Sequence, residues 1–187
     1  MKKASNTLHI AIIFLIVICL STSASSISFS QQNDTITSAY DTQILTMTNS
    51  QKISGMLEMI NETLIREYLE TIVGFGPRMT GSYGCEKVAQ YIHQEFMNMQ
   101  LKARYQNWTA WGNIYHPHLY TSQNIEGTLP GTNTLDTSAI IFNAHYDAIA
   151  TGPGANDDGS GTVAVLAAAY ALSHFSFKRT VKFVTFS

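Results

Sequence analysis

Between Ile53 and Val73 the apolar residues Ile53, Leu57, Ile60, Leu64, Tyr68 and Ile72 recur at steps of three and four. That spacing predicts one apolar stripe on a helix. Gly55 and the Asn61-Glu62 pair are candidate break points, dividing the stretch into two helices. Gly74-Phe75-Gly76-Pro77-Arg78 ends it, because glycine caps a helix and proline cannot continue one. Val88, Ile92, Phe96 and Met99 then mark one face of a second amphipathic helix.

The period shortens after Leu101. Leu101 to Thr109 alternates loosely and predicts a strand, and His118 to Glu126 predicts another. Leu129-Pro130-Gly131-Thr132-Asn133 is turn chemistry. The continuous apolar run Ala139-Ile140-Ile141-Phe142 predicts a central strand buried on both faces. Val163 to Leu172 is apolar all round, so a helix there must be covered on most sides. Val181, Phe183, Val184 and Phe186 mark a buried strand over 180–186, which is also expected to form a hydrophobic sheet edge. Strand, helix, strand in this order predicts a right-handed βαβ unit. The fold class expected is α/β, with a central mixed, largely parallel sheet flanked by helices.

The N-terminal pattern differs. Lys2 and Lys3 precede an apolar run from Ile10 to Leu20, and Ser21-Thr22-Ser23-Ala24-Ser25 follows. This is the order of a secretory signal peptide, expected over 1–24, with a secreted or extracytoplasmic product. An uncleaved membrane anchor is the lesser alternative, since the run is short for a span. Residues 25–51 read as a polar linker, and 52–187 as the N-terminal portion of a folded domain. Asn33, Asn61 and Asn107 each begin an Asn-x-Thr triplet, which is consistent with export.

Composition narrows the function. Charged residues make up 13% of the chain and the formal net charge is -2, with no basic block, so a nucleic-acid partner is excluded. Cys19 and Cys85 offer neither a disulfide framework nor a paired-cysteine zinc spacing.

The candidate chemistry lies between the last two strands. His145-Tyr146-Asp147 follows the apolar run, and Asn156-Asp157-Asp158-Gly159-Ser160-Gly161 precedes the apolar helix. Ligands of open α/β sheets bind at the carboxyl ends of strands. Imidazole and carboxylate both suit zinc. In an extended segment Asp147 points the same way as His145 and can accept the imidazole's other N–H. Asp157 can offer one oxygen to each of two metals, Gly159 and Gly161 allow a tight backbone turn, and Asp158 or Ser160 can cap the helix. Either motif alone is equally a hydrogen-bonded pair or a capping turn. Their combination with Gly152-Pro153-Gly154 in a βαβ context favours a metal site. His93 and the His116-Pro117-His118 triplet are weaker candidates, read as solvated or satisfied histidines.

The segment from His145 to Gly161 resembles the zinc aminopeptidases of metallopeptidase family twenty-eight, which include secreted leucyl aminopeptidases. Glutaminyl cyclases and the transferrin-receptor ectodomain are relatives of that family. Gly76-Pro77-Arg78-x-Thr80-Gly81-Ser82 and Arg179-Thr180-Val181-Lys182-Phe183 also resemble its pattern. The resemblance covers roughly 53–187. It implies a zinc-exopeptidase-like α/β/α sandwich, two zinc ions in the complete protein, and peptide or protein N-termini as substrates. It implies His145 as a ligand of one zinc, Asp157 as the bridge between both, and Asp147 as the catalytic-site partner that orients His145. It further implies a cis peptide bond at Asp157-Asp158.

In the family a Glu-Glu pair after the strand matching 180–186 supplies the general base and a ligand. No carboxylate side chain follows Asp158 here, so the base and remaining ligands are expected beyond Ser187 and the 187-residue chain alone is expected to be inactive. A glutaminyl-cyclase-like acyltransferase, a carboxypeptidase and a non-catalytic binding ectodomain are the alternatives. Side-chain preference and oligomeric state do not follow from these residues.

Overall fold

A computed structural model describes residues 47–115 and 117–187. The expected signal peptide and nearly all of the expected linker lie outside them. Helix α1 spans Asn49–Glu58 and begins on a capping box, in which the Thr48 hydroxyl accepts from Gln51 N and the Gln51 side chain accepts from Thr48 N. The helical structure thus starts three residues before the expected domain boundary, because Thr48 and Gln51 satisfy its free amide groups. Helix α2, Glu62–Gly74, opens on Asn61, whose side chain accepts from Leu64 N at 3.0 Å. Of the two candidate break points, Asn61-Glu62 divides the stripe, and Gly55 stays inside α1. Helix α3, Tyr83–Asn98, is capped by Ser82 and buries Val88, Ile92 and Phe96 as its period requires.

Four strands follow: β1 Lys102–Trp111, β2 Leu119–Leu129, β3 Ala139–His145 and β4 Thr180–Phe186, with helix α4, Ser160–Ser173, between the last two. The sheet order is β1-β2-β4-β3. It is mixed: β1 and β2 pair antiparallel, β2 and β4 pair antiparallel, and β3 and β4 pair parallel. The parallel part is therefore confined to the β3-α4-β4 unit. The short connection from Trp111 to Leu119 returns β2 antiparallel beside β1, as a link too short for a crossover must.

Two expectations change here. Strand β4 is not an edge, because β2 and β3 flank it on either side. Strand β3 takes the outer position among the described residues, and only one of its faces is covered. Phe142 and Ala144 are buried, whereas Ile141 is 55% exposed. The apolar run is continuous in sequence, but strand geometry sends alternate side chains to opposite faces.

The core lies on the helix-bearing face. Phe183 of β4 stacks on Phe142 of β3, with centroids 5.5 Å apart, and meets Phe96 of α3 at 6.3 Å. Val163, Leu166, Ala167, Ala169 and Leu172 bury α4 between the sheet and helices α1 and α2. Its alanines let helix and sheet approach closely, so the all-round apolar pattern is fully used. The opposite sheet face carries Glu126, bridged to Arg104 at 2.9 Å and to Lys182 at 3.1 Å, along with Ile141 and a 42% exposed Phe186. No described helix is long and apolar enough to cross a membrane.

Candidate metal centre

His145 is the last residue of β3, so its side chain leaves the sheet at a strand's carboxyl end. Its backbone is fixed from both sides. The amide donates to Asp158 Oδ2 at 3.2 Å, and the carbonyl accepts from Thr162 Oγ1 of α4 at 2.9 Å. The ring bridges two carboxylates: Nδ1 lies 3.0 Å from Asp147 Oδ1, and Nε2 lies 3.2 Å from Asp157 Oδ1. Asp157 and Asp158 are joined by a cis peptide bond, at the position the resemblance implied.

The two aspartates do different work. Asp157 has a side chain 86% exposed to solvent, facing outward beside His145. Asp158 turns inward. Its Oδ1 accepts from Gly161 N at 3.0 Å, at the start of α4, while its Oδ2 holds His145 N. Of the two proposed caps, Asp158 therefore serves the helix. Ser160 donates to Asn156 O at 2.9 Å instead. Gly159 and Gly161 have ordinary right-handed backbone and are needed for space rather than for an unusual turn. A Cβ on Gly161 would overlap the Asp158 carboxylate. Only Gly154 of this loop adopts positive φ, at 58°, and a Cβ there would lie 2.6 Å from Arg78 Nη2.

Arg78 falls in the Gly76-to-Ser82 segment of the resemblance, which assigned it no role. It is fully buried and donates from Nε to Tyr146 O at 2.8 Å, from Nη1 to Pro153 O at 2.7 Å and from Nη2 to Gly154 O at 3.0 Å. One guanidinium thus holds both ends of the loop that separates His145 from Asp157. Its own carbonyl accepts from Ala148 N at 3.1 Å. Burial lowers its pKa from the usual arginine value, and the Asp147 charge opposes that shift. Two residues on, Thr80 Oγ1 donates to Asp147 Oδ2 at 2.7 Å. The local sequence showed a turn after a helix. It could not show partners 67 to 76 positions away.

Burial acts against protonated His145, but the Asp147 hydrogen bond and the charges of Asp147, Asp158 and Asp157 outweigh it and raise its pKa. A carboxylate-rich pocket of this kind attracts a cation. Two ligands of a tetrahedral zinc stand about 3.4 Å apart, given bonds of about 2.0–2.2 Å. The 3.2 Å between His145 Nε2 and Asp157 Oδ1 fits that edge. The pair opens on a cavity of ≈ 690 Å³ lined by Thr80, Met79, Tyr120 and Ile149 as well. Among the described residues no three His, Cys, Asp or Glu side chains are placed to hold one metal ion together.

The weaker candidates lie elsewhere. His93 stacks on Tyr105 with centroids 4.2 Å apart. His118 meets Tyr120 edge-on at 5.1 Å, and His116 falls outside the described residues. Cys85 is buried, 3.3 Å from Ser187 Oγ.

Residues 124–187 match the sequence model of peptidase family M28. Over this segment the chain is similar to that family. Aminopeptidase YwaD of Bacillus subtilis is 38% identical over 66 residues, which is 35% of this chain and 14% of that protein. Leucine aminopeptidase 1 of Phaeosphaeria nodorum is 29% identical over 135 residues, covering 64% of this chain and 31% of its own length. The chain thus spans less than a third of either relative. The fold is that of the zinc aminopeptidase BSAP from Bacillus subtilis, with a TM-score of 0.59 at 15% identity over 66% of this chain and 60% of that one. Glutaminyl cyclase from Porphyromonas gingivalis shares it, with a TM-score of 0.58 at 23% identity over 68% and 45%.

Proposed function

We propose that the complete protein is a zinc-dependent aminopeptidase that hydrolyses N-terminal peptide bonds at a two-zinc site. The observation that carries this reading is the 3.2 Å pairing of His145 Nε2 with the exposed Asp157 Oδ1, with Asp147 3.0 Å behind Nδ1. His145 would hold one zinc through Nε2. Asp157 would offer an oxygen to each of two ions, and its outward exposure leaves it free to do so. Bound zinc would supply Lewis acidity and an acidified water.

The chain's own residues prepare that chemistry. Asp147 accepts a hydrogen bond from Nδ1–H, which holds the proton there and keeps the Nε2 lone pair available to a metal. Both oxygens of Asp147 are engaged, by His145 and by Thr80, so it orients the imidazole and does not reach a substrate. Arg78 fixes the intervening loop and so the separation of the two ligands. The general base and the remaining ligands are assigned to none of the described residues, and the 187-residue chain alone is proposed to be inactive. The Lys2-to-Ala24 pattern supports secretion, with extracellular peptides as substrates.

The test uses full-length protein and aminoacyl chromogenic substrates. Cleavage is expected to vanish on chelation, to return with zinc, and to fall by about 100-fold or more in His145→Ala, as for loss of a group that acts on the reacting centre. Undiminished cleavage after zinc removal would sink the reading. Cyclisation of N-terminal glutaminyl peptides without hydrolysis would replace it with the acyltransferase alternative.

A further inference from the structure

We propose that Thr80 is a positioning residue of the metal centre: its hydroxyl locks Asp147 in the orientation that presents His145 Nε2 beside Asp157. The inference rests on the zinc-site reading above and concerns how that site is pre-formed.

A carboxylate held at one oxygen can pivot about that contact. Asp147 is held at both. Thr80 Oγ1 donates to Oδ2 at 2.7 Å while His145 Nδ1 lies 3.0 Å from Oδ1. Two contacts fix the plane of the carboxylate and leave a single oxygen for the imidazole.

The donor is itself immobilised from both sides. Two residues before it, Arg78 is buried against three carbonyls. Two residues after it, Ser82 N donates to Met79 O at 2.8 Å, and Ser82 Oγ caps α3 by accepting from Cys85 N at 3.3 Å. Gly81, with φ 80°, closes the turn between them. Threonine is also β-branched and stiff at χ1, which favours one hydroxyl position.

The consequence concerns the tautomer. With Asp147 fixed, Nδ1 carries the proton and Nε2 keeps its lone pair for a metal. With Asp147 free, the Nε2–H form competes and cannot bind. Partners of this kind change metal affinity by about 10–100-fold.

Zinc affinity of the full-length protein, measured by competition with a chromogenic chelator, tests this in a double-mutant cycle. Thr80→Val is expected to weaken zinc binding about 10-fold, with the unfolding midpoint of the metal-free protein unchanged. Thr80→Ser should restore the affinity, and Thr80→Val should add nothing in an Asp147→Asn background. Parental affinity in Thr80→Val overturns the inference and leaves the zinc reading standing, as does an equal loss in the Asp147→Asn background. A lowered midpoint shared by Thr80→Val and Thr80→Ala would make Thr80 a structural residue and overturns it too. Absence of zinc binding by the parent protein overturns both.

Discussion

Three aspartates show how strongly position decides a residue's chemistry in this chain. Asp157 points to solvent, Asp158 caps a helix, and Asp147 serves a histidine, although the three lie within twelve residues of one another. Away from the site, Glu126 has the most strongly lowered carboxyl pKa among the described residues. Hydrogen bonding from Arg104 is the main cause, Lys182 and Thr128 add to it, and burial opposes it; its pKa falls from 4.5 to about 2. A folded-state pKa below the unfolded value contributes stability that is complete above the unfolded value and lost as pH falls through the folded one. The stability it confers is therefore expected to be full above about pH 4.5 and to disappear on acidification toward about pH 2. Glu126→Gln should flatten the pH dependence of the urea midpoint across that window. An unchanged slope would show that the carboxylate is equally acidic in the unfolded chain.

At the scale of elements, the loop between β3 and α4 has few internal bonds of its own, and the Gly76-to-Ser82 turn supplies its support. Arg78 is the main link. Removing this buried donor leaves three carbonyl acceptors without it, at about 1–3 kcal/mol for each that stays unsatisfied. Arg78→Met should accordingly lower the unfolding free energy measured with urea by about 3 kcal/mol or more, with m unchanged. Arg78→Lys should recover only part of it, since an ammonium cannot present the planar fork that spans three acceptors. Full recovery with lysine would show that charge and not geometry holds the loop. The elements themselves were legible in sequence wherever their period was strict. The Ile53-to-Ile72 stripe became α1 and α2, and the His145-to-Gly161 motif fell between a strand and a helix as its residues required. The support from Arg78 was not legible, because a turn sequence carries no information about which distant carbonyls it will meet.

For the molecule as a whole, sheet order decides which strand is protected. Strand β4 has hydrogen-bonded neighbours on both sides, and β1 pairs only with β2 among the described residues. Amides of β4 are expected to exchange with solvent more slowly than those of β1. Exchange measured residue by residue in the full-length protein checks this, and faster exchange in β4 would contradict the pairing. The mixed sheet had been expected to be largely parallel, with β4 at its edge. Hydrophobic runs identify strands that are buried but not their neighbours, and β2 inserts antiparallel against β4 from 51 positions earlier in the chain.

The sequence by itself determined the periodic elements, the βαβ placement of His145 and Asp157, and the likeness of residues 124–187 to peptidase family M28. These depend on contacts between near neighbours or on a motif within one loop. Only the tertiary structure decided that β4 is interior, that Ile141 faces outward, and that Arg78 and Thr80 brace the site. Each of those depends on surfaces and donors brought together across long stretches of chain, where the free energy of packing and not local spacing selects the partner.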